Sequence, residues 1–159
     1  MFSQNLASLI EKCRSMNFEI VHIRANYSNS RSPFLTQFHK LNPNLPVEVH
    51  DIDTLDFAKE IEGETIVKKW TWSGFDDTEL DEVLKAKGIT TVIGCGLVTT
   101  RCVHHTMFGA FNKGYRTVLV SDCCGDRSVE RHNSELYLHG DQMYELYKLN
   151  DVQKLERKQ

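Results

Sequence analysis

The stretch Thr91-Val92-Ile93-Gly94-Cys95-Gly96-Leu97-Val98-Thr99-Thr100-Arg101-Cys102-Val103-His104-His105-Thr106 constrains the fold more than any other part of the chain. The short apolar, β-branched run at its start reads as a strand buried inside a parallel sheet. Gly94 and Gly96 let the backbone pack closely and turn. Thr99 or Thr100 is placed to cap a following helix. Cys102 then falls in or near the first helical turn. Amide N–H groups and the positive end of the helix dipole favour a thiolate there, and the same groups can hold an oxyanion. A strand, a turn and a helix carrying a cysteine make a nucleophile site. The competing reading of Cys102 is a small buried apolar side chain.

Strands and helices alternate around this unit. Leu6, Leu9, Ile10, Cys13 and Met16 recur at helical spacing and predict an amphipathic helix over residues 4–16. Strands are predicted at 18–24, 65–69, 91–95 and 116–121, with a weaker fifth at 143–148. A polar loop covers 26–33, a short helix 34–41 that Pro43 and Pro46 break, and an acidic surface segment with a helical turn 51–63. Asp77 or Thr78 caps a helix running to Lys87, and Gly88 stops it. Gly114 ends the helix carrying Cys102, a further helix spans 128–139, and Asn150 or Asp151 caps a short C-terminal one. This order predicts right-handed crossovers, a mainly parallel sheet and helices on both faces, within a single domain over 1–159. Ligands in such folds bind beyond the carboxyl ends of the strands. Lys69, Cys102 and the Asp122 region all lie at such ends.

A net charge of −3 gives no reason to expect nucleic acid or a membrane surface as partner. There is no secretory apolar region and no run long enough to span a bilayer. The five cysteines (Cys13, Cys95, Cys102, Cys123, Cys124) are an odd set without regular spacing, which suggests a reduced, cytoplasmic protein. No CxxC and no zinc-type spacing is present. Adjacent Cys123 and Cys124 raise a minor alternative, a thiol redox protein.

The segment Lys69-Trp70-Thr71-Trp72-Ser73-Gly74-Phe75, continued by Thr78 and Leu80, resembles the Lys-x-x-(Tyr/Trp)-Ser-(Ala/Gly)-Phe motif of isochorismatase-like cysteine hydrolases. Gly96 to Val103 is similar to that family's Gly-x-x-Thr-x-x-Cys-Val, and Thr106, Ala110, Gly114-Tyr115 and Asp122 extend the likeness. The resemblance implies a three-layer α/β/α sandwich of Rossmann-like type and an Asp–Lys–Cys triad. Cys102 would be the nucleophile and Lys69 the cation that lowers its pKa. Backbone amides of Thr99 and Cys102 would form the oxyanion hole, beside a cis Val98–Thr99 bond. The implied reaction is hydrolysis of an amide or related C–N bond in a small molecule, by a homo-oligomer. The metal-binding Asp-x-His of the nicotinamidase branch has no counterpart around His22, so no metal and no cofactor are expected, and His104 and His105 are read as non-ligands.

The family's catalytic Asp stands at the end of a first strand, central in the sheet, ahead of the first helix. Here both strand and Asp are missing, and Asp51, Asp53 and Asp56 do not match that position. A truncated product, a non-catalytic relative, or an acid supplied from elsewhere would each account for this. Trp70, Trp72 and Phe75 are candidates to line a substrate pocket, cap the core or form a subunit contact. Arg101 could orient an anionic substrate or stand exposed. The segment 126–132 reads as a charged loop capping a helix. The second functional reading is a non-catalytic α/β scaffold that binds or forms oligomers, since an absent central strand exposes sheet edges.

Overall fold

The computed structural model of the protein describes residues 2–27, 30–41 and 55–155, apart from the side chains of 36, 38 and 39. Helix α1 (Phe2–Ser15) leads into β1 (Val21–Ala25). A wide helical turn (Phe34–Phe38) runs into the short α2 (His39–Leu41). After a single 3-10 turn (Asp56–Ala58) come β2 (Thr65–Lys69), α3 (Leu80–Ala86) and β3 (Thr91–Leu97). A second wide turn (Thr99–Val103) joins α4 (His104–Asn112), then β4 (Arg116–Gly125), α5 (Val129–His139), β5 (Glu145–Tyr147) and α6 (Leu149–Gln153). Pro43, Pro46, Asp51 and Asp53 lie outside the described residues.

Every strand pair is parallel: β1 with β2, β3 with β4, and β4 with β5. The carboxyl ends of the strands therefore share one edge of the molecule. Three apolar clusters set the layers. Leu6 and Leu9 of α1 pack with Val152 of α6 against Val120 and Cys123 of β4. On the opposite face Val103, Met107 and Leu119 meet Cys124, Met143 and Tyr144. Val67, Leu80, Leu84 and Ala110 join β2 to α3 and α4. Alternation along β4 sends Cys123 and Cys124 to opposite faces, each buried in its own cluster. All five cysteines are free thiols. Cys123 and Cys124 thus serve as packing residues inside a strand, which removes the support for a redox pair.

The parallel sheet is split into a β1–β2 pair and a β3–β4–β5 trio. Between them runs a groove of about 750 Å³ lined by Val21 and Ile23 on one side and by β3 on the other, reaching Lys69 and Cys102. This corrects the expectation that Thr91–Cys95 is a buried central strand. β3 is half-exposed from Thr91 to Gly96, because one of its edges borders the groove, whereas β4 beside it is buried from Thr117 to Ser121. Gly94 is required by close approach, since a Cβ there would sit 2.4 Å from Met107 Sδ. Gly96 takes a φ of +117°, a value open to glycine and strained for other residues.

Candidate active site

Lys69 is the last residue of β2, and strand alternation separates it from its neighbour. Lys68 is exposed, while Lys69 is only 2% exposed. Its ammonium donates to Thr71 O at 2.7 Å and lies 3.2 Å from Cys102 Sγ. Burial pushes the Lys69 pKa below its ordinary value, and the Cys102 thiolate opposes that shift. Tyr27, two residues past the end of β1, brings its hydroxyl to 3.5 Å from the same sulfur. Lys69 Nζ stands 5.5 Å from the Tyr27 ring centre. Burial raises the Tyr27 pKa, and the neighbouring Cys102 adds to the rise.

Cys102 sits in the wide turn Thr99–Val103, where Val98 O accepts from the amides of both Arg101 and Val103. The cap differs from the expectation. Neither Thr99 nor Thr100 is the N-cap; that position is Val98, whose side chain makes no capping bond. The missing acceptor comes from the loop after β4, where Asp126 Oδ2 takes both the amide and the hydroxyl of Thr100 at 2.7 Å. Burial alone would raise the Asp126 pKa, but these bonds outweigh it and hold the carboxyl below its usual range. Thr99 is fully buried, and its hydroxyl donates to Gly125 O at 2.9 Å. It therefore accepts from His132 Nδ1, also 2.9 Å away, which fixes that imidazole's tautomer. The non-proline cis bond is Leu97–Val98 rather than Val98–Thr99, because Thr99 already belongs to the helical turn.

The three aromatic candidates go to three different places. Trp72 packs beside the nucleophile turn, with the Arg101 guanidinium 5.3 Å from its ring centre and the His105 and Phe34 rings at 4.9 and 5.9 Å. Tyr27 packs against Phe34 with ring centres 4.4 Å apart and planes tilted by 44°, completing an aromatic wall near the sulfur. Trp70 carries the Arg31 guanidinium over its ring at 4.0 Å. Phe75 is a core residue packed against Tyr115. Tyr27 reaches the sulfur without a sequence motif to mark it; its signal in the sequence is an aromatic residue opening a polar loop at a strand's carboxyl end. Asp56, the one unmatched acid among the described residues, lies in the 3-10 turn packed near α1. Among the described residues no carboxylate is bonded to Cys102 or Lys69, and Asp76 acts on Lys69 only through its charge while its oxygen accepts from Thr71.

Parallel strands, the helices packed on them and the groove between the two sheets define the class as an α/β hydrolase-type fold. Solved structures share it. An isochorismatase-like hydrolase from Alkaliphilus metalliredigens superposes with a TM-score of 0.80 at 24% identity over 94% of this chain and 81% of its own. N-carbamoylsarcosine amidase from Thermoplasma acidophilum gives 0.73 at 22% identity, over 94% and 83%. The isochorismatase domain model matches residues 1–138, and the chain belongs to that family. Among curated relatives, a secreted isochorismatase effector of Verticillium dahliae is 30% identical over 79% of this chain and 60% of its own length. Maleamate amidohydrolase of Pseudomonas putida is 35% identical over 47% of this chain and 35% of its own. The chain thus spans less than two thirds of either relative. Among the described residues no helix is long and apolar enough to cross a membrane.

Proposed function

We propose that the protein is a cysteine hydrolase of a small-molecule amide or related C–N bond. The observation that carries this reading is the contact of Lys69 Nζ with Cys102 Sγ, 3.2 Å, with the lysine withdrawn from water. An ammonium there favours the thiolate over the thiol. The thiolate attacks the carbonyl carbon, and the amides of Thr99 and Cys102 receive the resulting oxyanion. The C–N bond then breaks, and the leaving nitrogen takes a proton from Lys69, whose hold on it burial has loosened. Water, giving a proton to the now neutral Lys69, cleaves the thioester, releases the acid and restores the thiolate beside the ammonium. The relatives named maleamate amidohydrolase and ureidoacrylate amidohydrolase support a C–N bond as the target. The Trp72–Arg101 pair would hold an anionic group of the substrate.

Among the described residues no carboxylate is bonded to the pair to reset its protons. The groove between β1 and β3 separates the two sheets, and its lining includes Lys69 and Cys102. A segment placed there would bring an acid to the lysine. The second reading, a non-catalytic scaffold, is favoured by the same split sheet, whose open edges invite another chain. Exposed Phe108 and Phe111 on α4 and Tyr137 and Leu138 on α5 support self-association.

Alkylation of each cysteine as a function of pH separates the two readings. Burial pushes the Cys13 and Cys124 thiols up and those of Cys95 and Cys123 to about 12. A hydrolase site requires Cys102 to react selectively well below the free-thiol value of about 8.5, and Cys102→Ala to abolish turnover of amide substrates. Reactivity of Cys102 no greater than that of Cys13 gives the protein to the scaffold reading.

A further inference from the structure

Outside this site, three side chains converge where α4 begins and α5 ends. His104 opens α4, and Glu135 and His139 stand one helical turn apart on α5. Glu135 is only 6% exposed, although a lone buried carboxylate is costly. Its Oε1 lies 2.5 Å from His104 Nδ1 and 2.9 Å from His139 Nδ1, and accepts from the Tyr144 hydroxyl at 2.9 Å. The two imidazole rings are 4.5 Å apart. His139 Nδ1 is buried and makes no hydrogen bond; the Glu135 oxygen is near enough but not in line with it. A buried polar nitrogen without a partner is rare and calls for one.

We propose that His104, Glu135 and His139 bind one zinc-type divalent metal ion. One ligand atom from each residue already lies within 4.8 Å of the others, so small side-chain rotations suffice to enclose an ion. An i, i+4 pair on a helix presents both ligands on one face, and the third comes from the facing helix. Two imidazoles and a carboxylate suit zinc and leave one position open for water or a substrate group. Tyr144 orients the carboxylate from behind. The His139 side chain is 38% exposed, which gives the ion a path from solvent. Bound metal would tie α5 to the start of α4, two residues after Cys102 in the preceding turn. Separations of 31 and 35 residues from His104 hide such a set from any spacing motif.

The test titrates the metal-stripped full-length chain with Co²⁺, followed by visible absorption, and with Zn²⁺, followed by calorimetry. Both are done in a Cys102→Ser background to exclude binding at that thiol, and the charge-transfer region reports on the other four. One equivalent should bind, with ligand-field bands of a low-coordinate cobalt site and no sulfur-to-cobalt charge transfer. His139→Ala should lower affinity by more than the roughly 10–100-fold that outer-shell changes cost. Glu135→Gln, nearly identical in shape, should do the same with circular dichroism unchanged, so that a folding defect in one variant leaves the other decisive. Absence of binding by the parent chain, or equal affinity in the parent and both variants, overturns the proposal.

Discussion

At the scale of single residues, the proposed chemistry rests on the contact between Cys102 and Lys69. Lys69→Met removes the positive charge and leaves a side chain of similar length. Alkylation of Cys102 at pH 7 should then slow by roughly tenfold or more, since a neighbouring positive charge favours the reactive anion. Mass-spectrometric alkylation rates across pH read this directly. Tyr27→Phe should slow the same reaction by less, because a neutral hydroxyl at 3.5 Å stabilises a thiolate more weakly than an ammonium at 3.2 Å. The roles of these residues differ in how visible they were. Cys102 and Lys69 could be read from motif and alternation, because each depends on its own element. Tyr27 could not, because its approach depends on where β1 ends beside β2, with Ala25 opposite Lys69.

At the scale of elements, the nucleophile turn is held by a side chain from another segment. Asp126→Ala should destabilise the fold by about 1–3 kcal/mol, the range for a charge-assisted hydrogen bond, measured by urea unfolding. It should also blunt the Cys102 reactivity, since Thr100 would lose the acceptor that fixes the turn. Close packing of β3 on α4 leads to a second expectation. Gly94→Ala places a methyl group 2.4 Å from Met107 Sδ and should cost about 1–3 kcal/mol by overpacking, read in the same unfolding assay. Element types along the chain were legible from periodicity: α1, β2, α5 and the strand–turn–helix around Cys102 stand where the pattern put them. Caps were not. Ser128 does cap α5, accepting from Arg131 N, because that bond is local. The Thr99–Val103 turn takes its acceptor from 26 residues away.

At the scale of the whole molecule, Glu64 joins three parts of the chain. Its carboxylate takes Arg14 from α1 at 2.8 Å and His22 from β1 at 2.8 Å, and accepts the amide of Ile61. Hydrogen bonding to Arg14, against a smaller opposing effect of burial, lowers its pKa to about 2. The folded value lies below the unfolded one of about 4.3. This stabilisation is therefore complete above the unfolded value and is lost as pH falls from there towards about 2. Urea midpoints should drop across that window, and the drop should shrink in Glu64→Gln.

The sequence by itself determined the order and type of the elements, the parallel sense of the sheet, and the two motifs that carry the family resemblance and name the candidate cysteine and lysine. These follow from periodicity, glycine and proline placement, and residues adjacent along the chain, all of which are local. Only the tertiary structure decided that the sheet is divided by a groove, that Tyr27 joins the thiol, that Asp126 serves the nucleophile turn, that the three aromatic candidates part company, and that two histidines and a buried glutamate converge behind α4. Those outcomes depend on distances between elements far apart in the chain, which packing of the layers sets and no local pattern records.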